Sequence, residues 1–225
     1  MRDEIIKSLR ESISLNEDKE ISILEIIDKY DSLKKGLKFI VLTNKSNYAP
    51  YHNLNHLLTV TRYCYEGLRY MNMLEDDKAE LLLLAALFHD YNHSMGKHKD
   101  DYNISESKKG IKKFITDEGF DFDIDFINTI LDSTEFPYVI SEKDLNIYQQ
   151  IIRDADMCQI FEYDWLKQNI LGLVSELNTT VKDFLPNQRK FLEGLRFLTK
   201  YGKSLHKKYF NDVMKEYEIL ESIMK

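Results

Sequence analysis

The sequence is poor in the residues that build cross-linked or turn-rich proteins. It has only two cysteines among 225 residues, too few and too far apart for a disulfide scaffold or a thiolate zinc site. A reducing compartment, the cytoplasm, fits this composition best. Three prolines and eight glycines are also few, which favours long helices over many short strands joined by turns.

Long apolar runs and a surplus of positive charge are missing as well. The longest apolar run, Leu81 to Phe88, is far shorter than the roughly 20 residues that cross a bilayer, and the N-terminus lacks the apolar stretch of a signal peptide. The formal net charge of −7 argues against binding a nucleic-acid duplex, because duplex binders usually carry a basic face. A small anionic substrate is still allowed if a metal supplies local positive charge. We therefore expect no membrane partner, and the oligomeric state stays open.

Hydrophobic periodicity predicts helices along most of the chain. The expected helices cover residues 20–41, 53–73, 79–88, 104–115, 125–133, 143–163, 166–177 and 188–224. Breaks are expected at Gly119, Pro137, Pro186 and Gly202. No segment alternates convincingly with the period of a strand. The sequence therefore predicts an all-α protein, a compact helical bundle that forms a single domain over residues 1–225.

The most informative feature of the chain is the pair His89-Asp90, which closes the apolar run LLLLAALF. A helix that is apolar nearly all round must be buried on most sides, so this pair is carried into or beside the core. Upstream, His52 and His56 stand four residues apart, a spacing that places both side chains on one face of a helix. His93 stands four residues after His89 and repeats that spacing if the helix continues.

Downstream, the segment Arg153-Asp154-Ala155-Asp156 adds two carboxylates. Three histidines and two or more carboxylates, arriving in the order His, His-Asp, Asp, can hold a divalent metal and leave positions open for water and substrate. Such a set is typical of a catalytic site more than of a structural one. By this reasoning either Asp154 or Asp156 can complete the set.

The order and spacing of these residues resemble the H…HD…D signature of the HD-domain metal-dependent phosphohydrolases. Within that superfamily, Tyr51-His52-Asn53-Leu54-Asn55-His56 is similar to the HNxxH element of the class I cyclic-nucleotide phosphodiesterases, and Ala86 to His93 is similar to their HDxxH element. The resemblance spans roughly residues 48–200 of the chain. It implies an all-helical fold of the HD type, with N-terminal helices of residues 1–43 packed on the motif core.

The resemblance also implies which residues bind metal. His56, His89, Asp90 and Asp156 would bind a first divalent ion, and the Ala-Asp-hydrophobic context selects Asp156 over Asp154. Asp90 would bridge to a second divalent ion held mainly by water. Zinc, iron or manganese suits the first position, and magnesium or manganese suits the second.

The catalytic and substrate-binding roles follow from the same resemblance. His52 would protonate the leaving oxygen, and His93 would lie near the bridging water or the phosphate. Gln188 and Phe191 reproduce a Gln-x-x-Phe spacing that would hold a purine base, although they could equally be a surface residue and a core aromatic. Glu106 is a weaker candidate for a supporting role.

The loop Lys97-His98-Lys99 is open to two interpretations. It is either an ordinary solvated segment or a group of cations that attracts substrate phosphate.

The resemblance implies a hydrolase that cleaves a phosphoester bond of a nucleotide, by in-line attack of a hydroxide that bridges the metals. The first candidate substrate is a 3′,5′-cyclic nucleotide. One alternative is an HD phosphohydrolase that acts on nucleoside mono- or triphosphates or on another phosphoester. Another is a non-catalytic HD module that binds a nucleotide or a partner, although the presence of all four implied ligands argues against it. An oxidative di-iron enzyme of the same superfamily would need further histidine ligands.

Overall fold

The computed structural model describes residues 21–224, and every regular element in that range is a helix. The α-helices are α1 (Ile23–Lys29), α2 (Asp31–Thr43), α3 (Leu54–Tyr70), α4 (Ala79–Phe88), α5 (Asp100–Glu118), α6 (Ile124–Asp132), α7 (Ile147–Met157), α8 (Leu173–Glu176), α9 (Val181–Gly194) and α10 (Lys200–Met224). Short 3₁₀ helices occupy Glu142–Asp144 and Cys158–Phe161, and a π-helix occupies Leu166–Gly172. The predicted all-α fold is confirmed.

Helix α4 lies at the centre of the core because it has no polar face. Every residue of α4 except Glu80 is buried, and the Glu80 carboxylate accepts a hydrogen bond from the Ser32 hydroxyl on α2. Helices α2, α3, α5, α6 and α7 all contact α4. The residues that directly follow α4 are therefore held at the edge of the core, where the neighbouring helices meet.

The N-terminal part of the structure differs from the single helix predicted over residues 20–41. Tyr30 has an extended backbone and divides the segment into α1 and α2. Ser22 and Glu25 form a capping box that starts α1 at Ile23, three residues later than expected. Helix α1 contacts α2 and α3. Residues 1–20, which belong to the predicted N-terminal helices, lie outside the described residues.

The prediction of a single helix over residues 188–224 is wrong, because the chain forms two helices there. Helix α9 begins at Val181, where the Thr180 side chain caps it, and it runs through Pro186 without a break. The break comes instead at residues 195–199, and Gly202 lies inside α10. The predicted break at Gly119 is confirmed, since α5 ends there.

The other predicted helices are present with ends moved by a few residues, and those over 143–163 and 166–177 are each divided into shorter elements. Within residues 21–224, no helix combines the length and the apolar character needed to span a membrane.

Candidate metal centre

Four side chains from three distant parts of the chain meet beside the end of α4. His56 extends from the first turn of α3, His89 and Asp90 follow α4 directly, and Asp156 lies in the last turn of α7. The Nε2 atom of His56 lies 3.2 Å from Asp90 Oδ2 and 3.2 Å from Asp156 Oδ1. The Nε2 atom of His89 lies 3.2 Å from Asp90 Oδ2 and 3.8 Å from Asp156 Oδ1. The two Nε2 atoms are 3.2 Å apart, so the four residues predicted as ligands face one point.

The opposite sides of both imidazoles are held by oxygen atoms. His89 Nδ1 donates to the Ala86 carbonyl at 2.7 Å, and His56 Nδ1 donates to Gln159 Oε1 at 3.4 Å. A carbonyl oxygen can only accept, so the proton of each neutral ring lies on Nδ1 and the Nε2 lone pair is directed at the other ligands. Ser107 donates to the His89 carbonyl at 2.5 Å and fixes its backbone. Outer contacts of this kind orient metal-binding histidines.

A second group of side chains lies next to these four. His52 Nδ1 is 2.6 Å from Glu176 Oε2, and the backbone N–H groups of Tyr51 and His52 donate to Glu176 Oε1 at 2.7 and 2.8 Å. The His93 ring stacks on the His52 ring with 3.5 Å between centroids. His93 Nδ1 accepts a hydrogen bond from the Met95 backbone N–H. The ring of His52 is thus fixed on two sides, by a carboxylate and by a second imidazole.

Both groups border one cavity of about 740 Å³. His52, His93 and Glu176 line it together with His89, Asp90 and Asp156. The predicted substrate residues also reach this cavity, since Gln188 is buried and Phe191 is half-buried in its wall on α9. The Phe136 ring from the loop after α6 meets the Phe191 ring edge to face, with 6.3 Å between centroids.

Comparison with known families identifies the segment that carries most of these residues. Residues 53–160 match the family model of the HD domain. The chain contains an HD domain. The match covers His56, His89, Asp90, His93 and Asp156, while His52 lies one residue before it. No curated protein and no solved structure matches the chain.

The ligand atoms of the HD domain have the spacing that a common cation requires. Metal bonds of about 2.0–2.2 Å at tetrahedral or octahedral angles place neighbouring ligand atoms about 2.9–3.5 Å apart. The separations of 3.2 Å agree with this range, and a small side-chain rotation would bring His89 and Asp156 within it. The four residues therefore fit the divalent metal that HD domains bind, and their role as its ligands stays a prediction.

Charge also favours a cation at this centre of the HD domain. Burial alone would lower the pKa of His56, but hydrogen bonds to Asp156 and Asp90 outweigh it and raise this pKa to about 9. Burial likewise opposes a charged His89, yet the adjacent carboxylates raise its pKa well above the ordinary value. Burial would raise the pKa values of both carboxyls, but the imidazoles hold them below their usual range. The carboxylates thus stay negative, and a metal can replace the imidazole protons.

The second group is electrostatically different from the first. Burial, with a further contribution from His52, lowers the pKa of His93 to about 4, so His93 is neutral near pH 7. Burial would raise the pKa of Glu176, but the hydrogen bond and the charge of His52 lower it. Glu176 is therefore an anion beside His52. No motif in the sequence pointed to Glu176, which stands 124 residues away from its partner.

The candidate residues that remain have other surroundings. Asp154 faces away from the metal centre and accepts hydrogen bonds from the Leu198 and Thr199 backbone and from the Thr199 hydroxyl at 2.7–2.8 Å. It does not pair with its neighbour Arg153, which donates to the Ser133 and Ile140 carbonyls instead.

The weaker candidates lie at or beyond the rim of the cavity. Glu106 forms an ion pair with Lys109 rather than supporting a ligand. Among the cluster Lys97-His98-Lys99, all three residues are exposed, and His98 lines the cavity.

Proposed function

We propose that this protein is a metal-dependent phosphohydrolase that cleaves a phosphoester bond of a nucleotide, with a 3′,5′-cyclic nucleotide as the first candidate. The observation that carries the proposal is the meeting of His56, His89, Asp90 and Asp156 at one point, beside an imidazole that is paired with a buried carboxylate. Ligands alone would suit a structural metal, whereas an adjacent acid–base group in an open cavity suits catalysis.

In this proposal, His56, His89, Asp90 and Asp156 would hold a first divalent ion, and Asp90 would also help to hold a second. Zinc, iron or manganese would occupy the first position, and magnesium or manganese the second. Bound divalent ions would supply a nucleophile at neutral pH and neutralise charge on the phosphoryl oxygens.

His52 is proposed to donate a proton to the leaving oxygen. An imidazolium carries a proton on both ring nitrogens, so His52 can keep its hydrogen bond to Glu176 through Nδ1 while it donates from Nε2. The Glu176 carboxylate stabilises that cation at 2.6 Å. His93 contributes by remaining neutral, because a second imidazolium stacked on His52 would repel it.

Gln188 and Phe191 are proposed to hold the base of the nucleotide. A cavity of about 740 Å³ has the size of a small-molecule site. The Phe191 ring offers a face for stacking, and the buried Gln188 amide offers hydrogen bonds to the edge of the base.

The test is a substrate panel assayed with Mg²⁺ and with Mn²⁺. It contains cyclic mononucleotides, cyclic dinucleotides, nucleoside mono- and triphosphates and generic phosphodiesters. Turnover of cyclic mononucleotides supports the first candidate, and turnover of other members only would assign the enzyme to them. Absence of turnover across the panel by metal-loaded protein would contradict the hydrolase and favour a binding module.

The proton-donor role is tested with His52→Ala. This variant should keep its metal but lose about 100- to 10,000-fold in kcat for alkoxide leaving groups, with a smaller loss for nitrophenolate. His206→Ala, on α10 away from the cavity, is the matched control. Equal slowing for good and poor leaving groups would count against His52 as the donor.

A further inference from the structure

Three buried side-chain amides in the described part of the chain have an atom with no hydrogen-bond partner: Gln159 Nε2, Asn169 Oδ1 and Gln188 Nε2. Gln159 orients the imidazole of His56 through its oxygen. The other two residues line the cavity, and each is about 95% buried. Buried polar atoms without partners are rare in folded proteins because they are costly. Two such amides in the wall of one cavity suggest that a ligand completes their hydrogen bonds.

Asn169 is positioned by an unusual element. It belongs to the π-helix Leu166–Gly172, and π-helical turns occur frequently at functional sites. This π-helix directs Asn169 and Ile170 inward, whereas Leu171 is 56% exposed.

The end of the π-helix packs closely on the loop that precedes His52. A Cβ atom on Gly172 would lie 2.7 Å from the Pro50 carbonyl oxygen, so only glycine allows this approach. Asn169 is therefore carried by an element packed directly on the proposed proton-donor loop.

Gln188 reaches the same cavity from α9, which contacts the π-helix. A carboxamide offers one acceptor oxygen and two donor hydrogens, and rotation by half a turn exchanges them. Two carboxamides can therefore bind a planar group that presents a donor and an acceptor side by side. The edges of amino-substituted and oxo-substituted purines both have this arrangement.

We infer that Asn169 is a specificity-determining residue that, together with Gln188, hydrogen-bonds to the polar edge of the nucleobase. This inference rests on the proposed function for the nature of the substrate and adds the residue that reads the base. A purine that carries only hydrogen at its 6-position leaves one of the two amides without a partner. The site therefore selects against nucleotides that carry such a base.

The experiment compares nucleotides that share one phosphoester group and differ only in the base: adenine, hypoxanthine and unsubstituted purine. For wild type, kcat/KM with unsubstituted purine should be about 10- to 100-fold lower than with the other two. Asn169→Leu has similar volume and no polar atoms. It should lower kcat/KM for adenine and hypoxanthine by about the same factor and leave unsubstituted purine nearly unchanged, so that discrimination disappears.

Gln168→Leu is the matched control, because it removes an amide from the same π-helix at a position that does not line the cavity. It should preserve the wild-type discrimination among bases. An Asn169→Leu variant that slows all three substrates equally would overturn the inference.

A calorimetric binding experiment distinguishes a failure of this inference from a failure of the proposed function. It measures the Kd of adenosine 5′-monophosphate and of purine riboside 5′-monophosphate for wild type and for Asn169→Leu. If no phosphoester is turned over, the hydrolase proposal fails, yet weaker wild-type binding of the unsubstituted purine still supports the amide pair. If Asn169→Leu does not fold, the wild-type comparison decides alone, and equal affinities for the two nucleotides would overturn the inference.

Discussion

Replacing Asp154 by asparagine should reduce stability without reducing metal content, although Asp154 stands only two residues from a proposed ligand. Asp154 is buried, and its Oδ1 accepts from the Leu198 N–H at 2.8 Å. Its Oδ2 accepts from the Thr199 N–H at 2.8 Å and from the Thr199 hydroxyl at 2.7 Å. Asp154 thus joins α7 to the start of α10.

Stability is expected to fall because asparagine cannot accept all the hydrogen bonds that the Asp154 carboxylate accepts. One carboxylate oxygen becomes an NH₂ group that faces a donor, so at least one charge-assisted bond is lost, at about 1.5–3 kcal/mol each. Burial raises the pKa of Asp154 despite its hydrogen bonds, so removing the charge recovers part of this energy. We predict a net loss of about 1–2 kcal/mol, which for a protein of this size lowers Tm by about 2–8 °C.

The assay combines urea unfolding with metal analysis, and Asp156→Asn is the matched variant. Asp154→Asn should lose stability equally with and without metal and keep wild-type metal content. Asp156→Asn should lose the metal and the stabilisation that bound metal provides, about 2.7 kcal/mol at a free concentration of 100 Kd. The reasoning is refuted if Asp154→Asn releases the metal while Asp156→Asn retains it.

Three further results are expected. His56 has a pKa of about 9 and is protonated at pH 7, so a bound metal must displace its proton. In a chelator competition between pH 6 and 8, the apparent metal affinity should therefore rise about tenfold per pH unit for each proton released, and a flat profile would contradict this. Gly110→Ala should cost about 2–3 kcal/mol in urea unfolding, since its Cβ would lie 2.3 Å from the Tyr91 ring, whereas Gly194→Ala, with no atom within 4 Å, should cost far less. Glu176→Gln should keep its metal and lower kcat about 10- to 100-fold for poor leaving groups, because a neutral amide replaces the carboxylate that holds the His52 ring at 2.6 Å. An unchanged kcat for these leaving groups would exclude that role.

The parts of the fold that sequence predicted are those that depend on local signals. The all-round apolar character of α4 required a buried helix, and the polar pair after it had to emerge at the edge of the core. Residues two apart on a helix point in different directions, so Asp154 and Asp156 could not both face the metal centre. Spacing alone did not predict which of these two carboxylates faces the metal centre.

The parts that sequence did not predict depend on contacts between distant segments. Glu176 acquires its position only when the loop before α3 packs on α8, and no local pattern encodes that contact. The start of α10 is likewise set by Asp154, more than 40 residues earlier, which holds Leu198 and Thr199 outside the helix. The start of α1 did have a local signal, since Ser22 and Glu25 have the spacing of a capping box, whereas nothing in the local pattern indicated the break at Tyr30.

The most direct test of the account is metal analysis of purified wild type and of His89→Ala and Asp90→Ala, with His206→Ala as the control. The account predicts about one to two divalent ions per chain for wild type and for the control, and loss of both metal and activity in the two variants. Full metal content in His89→Ala and Asp90→Ala would contradict the claim that these side chains share a cation.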